Sequence, residues 1–143
     1  MQVKRLHPNA KLPAYGTDLS AGADLSACLD EPVTIQPGQT AFLPTGLAIA
    51  VPRGYAGLVF ARSGLGCKRG LAPANKVGVI DADYRGQVHV ALLNHSGEPQ
   101  TIYPGDRIAQ LLIIPVLTPE MEEVAELDET ARGEGGFGST GRN

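Results

Sequence analysis

Proline and glycine punctuation constrains this chain more than any single motif does. Turn markers recur at short intervals, in DEP (30–32), QPGQ (36–39), PTG (44–46), PRG (52–54), NHSGE (94–98) and YPGD (103–106). The 18 glycines and 11 prolines are scattered through 143 residues rather than gathered in one tract, so they read as tight turns between many short elements. Between the markers lie runs rich in β-formers: VTI (33–35), TAFL (40–43), LAIAV (47–51), YAGLVF (55–60), VHVALL (88–93) and RIAQLLIIPV (107–116). Short strands at such spacing build sandwiches or barrels. A parallel α/β sheet is disfavoured, because no amphipathic segment of helical length separates the runs. The expectation is an all-β, jelly-roll-like sandwich or barrel.

One short helix is expected within RSGLGCKRGLA (62–72), with Ser63 as its N-cap and Gly70 as its stop. Two internal glycines limit it to little more than two turns. The chain then changes character. TPEMEEVAELDETARGEGGFGSTGRN (118–143) begins acidic and ends polar and glycine-rich. By composition alone it reads as a disordered C-terminus or as a mobile arm that orders over a ligand. We divide the chain into a single β domain, 1–127, and a flexible arm, 128–143.

Charge and cysteine usage exclude several function classes. A net charge of −3 lacks the basic face that sequence-independent binding to nucleic acid or an anionic membrane requires. No run approaches the roughly 18 apolar residues of a membrane span, and MQVKRLHPNAKLPAYG has no apolar signal core. Cys28 and Cys67 are isolated, with no CxxC and no histidine at ligand spacing, which suits reduced thiols in the cytoplasm. His7, His89 and His95 form no metal-binding pattern; His89 reads as a histidine on one strand face.

There is no P-loop signature, no strand-linked GxGxxG and no nucleophile elbow. Four polar constellations stand out instead. In SAGADLSA (20–27), Asp24 reads most simply as a turn aspartate. In FARSGLG (60–66), Arg62 and Ser63 sit where a strand meets the helix, a natural place for an anion. In PGDRIAQLL (104–112), Gln110 falls inside a core-bound run, so it is either structural glue or a ligand contact. In GVIDADYRGQ (78–87), a strand runs into Asp81, Tyr84 and Arg85 before a second strand starts. That reads as a charged hairpin or as a site.

Together, AGADLSA, ARSGLG, GVIDADYRG, GDRIAQ and RGEGGFGSTG resemble, in order and spacing, the five motifs of the trimeric dUTP pyrophosphatases (dUTPases). The resemblance runs from about Lys4 to Gly141. It departs only at Ala61, where glycine is common, and at Gly66, where alanine is common. It implies hydrolysis of dUTP to dUMP and pyrophosphate by water attack on the α-phosphorus, which limits uracil in DNA and supplies dUMP for dTMP synthesis. Asp81 matches the carboxylate that activates the water. Tyr84 matches the ring against the deoxyribose, and Asn75 an amide contact, with uracil read by main-chain groups of the Asp81–Tyr84 hairpin. Val79, with Ile80, is a candidate for the wall at uracil C5. Arg62, Ser63 and Gly64 match the phosphate segment, Gln110 an amide near the α-phosphate, and Asp24 an outer-shell positioning acid. Arg132 matches a γ-phosphate contact, Phe137 a ring over uracil, and Gly138, Ser139 and Thr140 donors to the phosphates. Mg²⁺ is implied on the triphosphate and water, with no direct protein ligand. A homotrimer with active sites shared between subunits is implied as well. Asp83 and Arg85 are left as structural partners. The related dCTP deaminases share the implied fold, but the Asp81–Tyr84 segment and Phe137 point to the hydrolase.

Overall fold

Alternating burial fixes the two faces of the longest strands, and those faces decide how the molecule is layered. The structure is a computed structural model and describes residues 1–136. Its elements, in chain order, are β1 (Gln2–Arg5), β2 (Ala14–Tyr15), β3 (Ala23–Ser26), β4 (Val33–Ile35), β5 (Thr40–Ala50), β6 (Tyr55–Phe60), α1 (Ser63–Arg69), β7 (Leu71–Pro73), β8 (Gly78–Ile80), β9 (Gln87–Asn94), β10 (Gln100–Ile102) and β11 (Arg107–Pro115). Along β9, Val88, Val90, Leu92 and Asn94 are buried while Gln87, His89, Ala91 and Leu93 face outward, the period of two that a half-buried strand requires.

One sheet runs β1-β5-β9-β7, a second β2-β3-β11-β6-β8, and β10-β4 forms a small third; the strand pairs are antiparallel. Leu43, Ile49, Val90 and Leu92 of the first sheet meet Leu25, Val59, Ile80 and Leu111 of the second in one apolar core, closed by Ile35 and Ile102 from the third. This is the expected all-β, jelly-roll-like sandwich. Among the described residues, no helix is long and apolar enough to cross a membrane.

Three local expectations are corrected. PTG (44–46) does not end a strand: β5 runs through it, with a register shift against β9 between Pro44 and Ala48. Thr45 bridges the irregularity, its buried hydroxyl donating to the Val88 carbonyl at 2.7 Å. Gly46 takes φ 69° there, and a Cβ on it would lie 2.8 Å from both Ala10 Cβ and Cys28 Sγ, so no larger residue fits. The helix begins at Ser63, but Arg62 is its N-cap, in extended backbone and with no side-chain cap bond. Ser63 is the first helical residue instead. Gly70 does end the helix, in the left-handed conformation. Finally, residues 78–87 are not a hairpin. β8 pairs with β6 and β9 pairs with β5 and β7, so Asp81–Gly86 crosses from one sheet to the other.

A buried amide ties the end of β9 to the third sheet. Asn94 Nδ2 donates to the Ile35 and Glu98 carbonyls, and its Oδ1 accepts from the Ser96 N–H and hydroxyl. After Pro115 the chain forms no helix or strand up to residue 136.

Candidate active site

Two clefts carry the polar motifs, and register explains how each is assembled. In the second sheet, Gln110 on β11 pairs with Asp24 on β3 on one side and with Phe60 on β6 on the other. The chain leaving β6 then delivers Arg62 and Ser63 beside them. Asp24 is therefore a strand residue, not the turn aspartate its sequence context suggests. Its Oδ1 accepts from Arg62 Nε at 2.7 Å and its Oδ2 from Arg107 Nη1 at 3.0 Å. One carboxylate orients two guanidiniums, leaving a net positive charge facing a cleft of about 370 Å³. Gln110 Nε2 donates to the Ala61 carbonyl at 2.8 Å, fixing the strand exit, while its Oε1 lies against Gly22. A Cβ at Gly22 would sit 2.7 Å from that oxygen, which is why a glycine stands there. Gln110 is thus structural glue at its amide nitrogen, and it lines the cleft with Arg62 and Ser63.

The second cleft, about 280 Å³, lies where the 78–87 crossover meets the outer face of β9. Asn75, Val79, Asp81 and Tyr84 line it together with Phe42, Gln87 and His89. Asp81 follows the last residue of β8 and is exposed, and among the described residues its carboxylate makes no hydrogen bond or ion pair. Its carbonyl accepts from the Tyr84 N–H at 3.2 Å, which closes a turn that carries both side chains. Tyr84 Oη donates to the Gln87 carbonyl at 2.9 Å and its ring covers Gly86, where a Cβ would lie 2.7 Å from Cζ. Arg85 is structural, donating to the Ala82 and Tyr84 carbonyls at 2.8 Å each; it forms no ion pair with Asp83. Of the two candidates for an apolar wall, Val79 is 63% exposed, whereas Ile80 belongs to the core.

Ahead of β8, the Val77 N–H bonds back to the Asn75 carbonyl at 2.7 Å around Lys76, whose φ is 66°. This three-residue turn hangs the Asn75 amide over Gly78, where a Cβ would lie 3.4 Å from Nδ2.

Gly64 and Arg132 fall outside both clefts. Gly64 is exposed on α1 beside Ser63 and lines neither. Arg132 is exposed, its Nε donating to the Gly135 carbonyl at 2.7 Å within its own turn. Phe137, Gly138, Ser139 and Thr140 lie outside the described residues. Sequence reading missed Arg107, although it lies inside GDRIAQ. Strict alternation sets Arg107 on the opposite side from Gln110, but a register shift between Arg107 and Ala109 turns it toward Asp24. Phe42 was missed as well, for it reads as core but is 75% exposed.

Cys28, half-buried, lies 3.4 Å from His7 Nδ1. Burial, and then the charge of Asp30, push its thiol above the ordinary range.

Comparison with known proteins bears on the family of the whole chain. A family model described as dUTPase matches residues 8–141. The deoxyuridine 5'-triphosphate nucleotidohydrolase of Syntrophotalea carbinolica is 52% identical over 141 residues, covering 99% of this chain and 96% of its own. That of Desulfitobacterium hafniense is 56% identical over 132 residues, covering 92% and 87%. Among solved structures, a mutant dUTPase of Staphylococcus bacteriophage 80alpha with dUpNHpp superposes with a TM-score of 0.87 at 33% identity, over 98% of this chain and 97% of that one. A mutant dUTPase of phage phi11 of S. aureus, described with a coordinated structural Mg(II) ion, gives a TM-score of 0.78 at 31% identity, over 87% and 96%.

Proposed function

The chain belongs to the dUTPase family, and from that premise we propose how its two clefts divide the reaction. It hydrolyses dUTP to dUMP and pyrophosphate. The observation that carries our reading is the split itself: a carboxylate unpaired among the described residues beside an aromatic ring in one cleft, and a cationic, preorganised cleft in the other, with no lining residue in common.

Asp81 is the general base. Its carboxylate takes a proton from a water as the water oxygen bonds to the α-phosphorus and the bond from that phosphorus to the bridging oxygen breaks, releasing pyrophosphate. A positioned base contributes roughly 10²–10⁴ in rate. Tyr84 packs against the deoxyribose, where a ribose 2'-hydroxyl has no room. Asn75 and main-chain groups of the segment that carries Asp81 and Tyr84 read uracil, whose carbonyl and N–H pattern is reversed in cytosine, so the wrong base leaves site groups unpaired. Val79 walls the C5 edge.

Arg62, Ser63, Gly64 and Gln110 bind the triphosphate, with Asp24 holding Arg62 in line. Fixed donors of this kind stabilise charge that develops during phosphoryl transfer without reorganising. Among the described residues, no three His, Cys, Asp or Glu side chains form a metal-ligating group, and both Asp24 oxygens already accept from arginines. A Mg²⁺ arriving with the triphosphate would be held by the substrate and would help neutralise its charge, with Arg62 and Gln110 beside it. Residues 128–143 form the arm that closes the site, with Arg132 toward the γ-phosphate, Phe137 over uracil, and Gly138, Ser139 and Thr140 on the phosphates.

A homotrimer supplies the geometry: the Asp81 cleft of one copy faces the Asp24 cleft of the next, in the cyclic arrangement that repeats one interface. The cytoplasm is the compartment we assign. Incubation with Mg²⁺ and dUTP, dTTP, dCTP or UTP tests the reading. Pyrophosphate should form from dUTP alone, and equal hydrolysis of UTP would remove Tyr84 from the role of sugar gate.

A further inference from the structure

The carbonyl on which Tyr84 rests has a second partner. His89 Nδ1 lies 3.1 Å from the Gln87 main-chain oxygen, the same atom that accepts the Tyr84 hydroxyl at 2.9 Å. The other ring nitrogen, Nε2, lies 2.9 Å from the Gln87 side-chain Nε2. Only one tautomer satisfies both contacts. The carbonyl needs a proton on Nδ1, and the amide NH₂ needs a lone pair on Nε2. His89 therefore grips Gln87 at both its backbone and its side chain.

This grip matters because, among the described residues, the Gln87 carbonyl is the hydrogen-bond anchor of the Tyr84 side chain. The residue is 43% exposed; the described contacts that hold it are the face of Gly86 beneath it and the hydroxyl bond to Gln87. Gln87 and His89 both face outward from β9, between the buried Val88 and Val90, so the strand core sets the spacing of the pair. All three residues line the Asp81 cleft.

We propose that His89 is a positioning residue for Tyr84, holding the Gln87 carbonyl that anchors the tyrosine hydroxyl and so setting the ring against the sugar. The inference rests on the reading of Tyr84 as the group that excludes ribose. It assigns His89 a part in the choice between dUTP and UTP and no part in proton transfer.

The test is the ratio of kcat/KM for dUTP to that for UTP, measured with Mg²⁺ on the full chain. His89→Ala should lower that ratio about 3- to 10-fold, the worth of one hydrogen bond, mainly through a lower KM for UTP. His89→Asn, whose amide N–H can take the place of Nδ1–H, should restore the ratio to within about twofold of the parent. Tyr84→Phe should lower it similarly, and the double variant His89→Ala/Tyr84→Phe should fall no further than either single one. A ratio unchanged in His89→Ala but lowered in Tyr84→Ala overturns the positioning role and leaves the reading of Tyr84 standing. A ratio unchanged in Tyr84→Ala overturns that reading, and this inference with it. Equal losses on both nucleotides in His89→Ala, with no rescue by His89→Asn, mean a structural effect only and also overturn the proposal.

Discussion

Asp24 within β3 and Asp81 just past β8 each face a cleft, yet they are treated in opposite ways. Asp24 is half-buried and bound by two guanidiniums, at 2.7 and 3.0 Å. Asp81 is exposed and, among the described residues, unpaired. Each Asp24 oxygen already accepts an arginine N–H, whereas the exposed Asp81 carboxylate has both oxygens open to a water among the described residues. The contrast separates a carboxylate that organises cations from one that can act as a base. On the proposed reading neither cleft is a complete site, because the base and the phosphate donors would lie in clefts that share no lining residue.

The contrast is broken most severely at Asp81. Asp81→Asn should cut kcat by roughly 10²–10⁴, measured as pyrophosphate release under saturating dUTP. Its melting temperature should match the parent within a degree or two, because an exposed, unpaired side chain supports no fold contact. A variant that retains its turnover would take the base elsewhere.

Mixing the halves tests whether two copies complete each other. Asp81→Asn and Arg62→Ala chains, each nearly inactive alone, should regain activity when unfolded and refolded together. If each site takes Asp81 from one subunit and Arg62 from another, about one quarter of the sites in a random mixture carry both native residues. Activity that stays at the level of the separate variants would instead place both residues in the same subunit's site.

A smaller effect should follow from disarming the other carboxylate. Asp24→Asn keeps the shape but gives one arginine an N–H where it had an acceptor, and it leaves two cations in one place without their counter-charge. We expect a stability loss of about 1–3 kcal/mol, read by denaturant unfolding, and a higher KM for dUTP than the parent. If KM is unchanged, Arg62 does not depend on Asp24 for its aim.

How far these two aspartates could be told apart beforehand depends on what each signal reports. The strands TAFL, YAGLVF, VHVALL and RIAQLLIIPV were legible because turn residues and β-formers report local geometry, and each coincides with or falls inside a strand or overlaps one closely. The motif residues were legible through their resemblance to a family, which gave Asp81, Tyr84, Arg62 and Gln110 at once. Pairing was not legible. Nothing local says that β8 belongs to β6 and not to β9, so a crossover between sheets looked like a hairpin. Nor does any local pattern show that PTG continues a strand, since Thr45 replaces the lost ladder contact with a bond to Val88, 43 residues away. Arg107 was hidden for the same reason, by a register shift that only the partner strand β3 reveals.

The finest difference between the clefts is in their backbones. Among the described residues, Lys76 is the only non-glycine with positive φ, and it stands next to Asn75 in the Asp81 cleft. A left-handed conformation costs an L-residue roughly 1–2 kcal/mol, which glycine avoids, although glycine gives back about 0.5–1 kcal/mol through the freedom it gains when unfolded. Lys76→Gly should therefore raise stability slightly, by roughly 0.5–1 kcal/mol, seen as a rise of a few degrees in melting temperature. KM for dUTP separates two meanings of that strain. If it is unchanged, the turn around Lys76 is held by the Asn75–Val77 bond whatever residue occupies its centre. If it rises as stability rises, the strained lysine was holding the Asn75 amide over Gly78, and the cleft that leaves its carboxylate free depends on a backbone that is not.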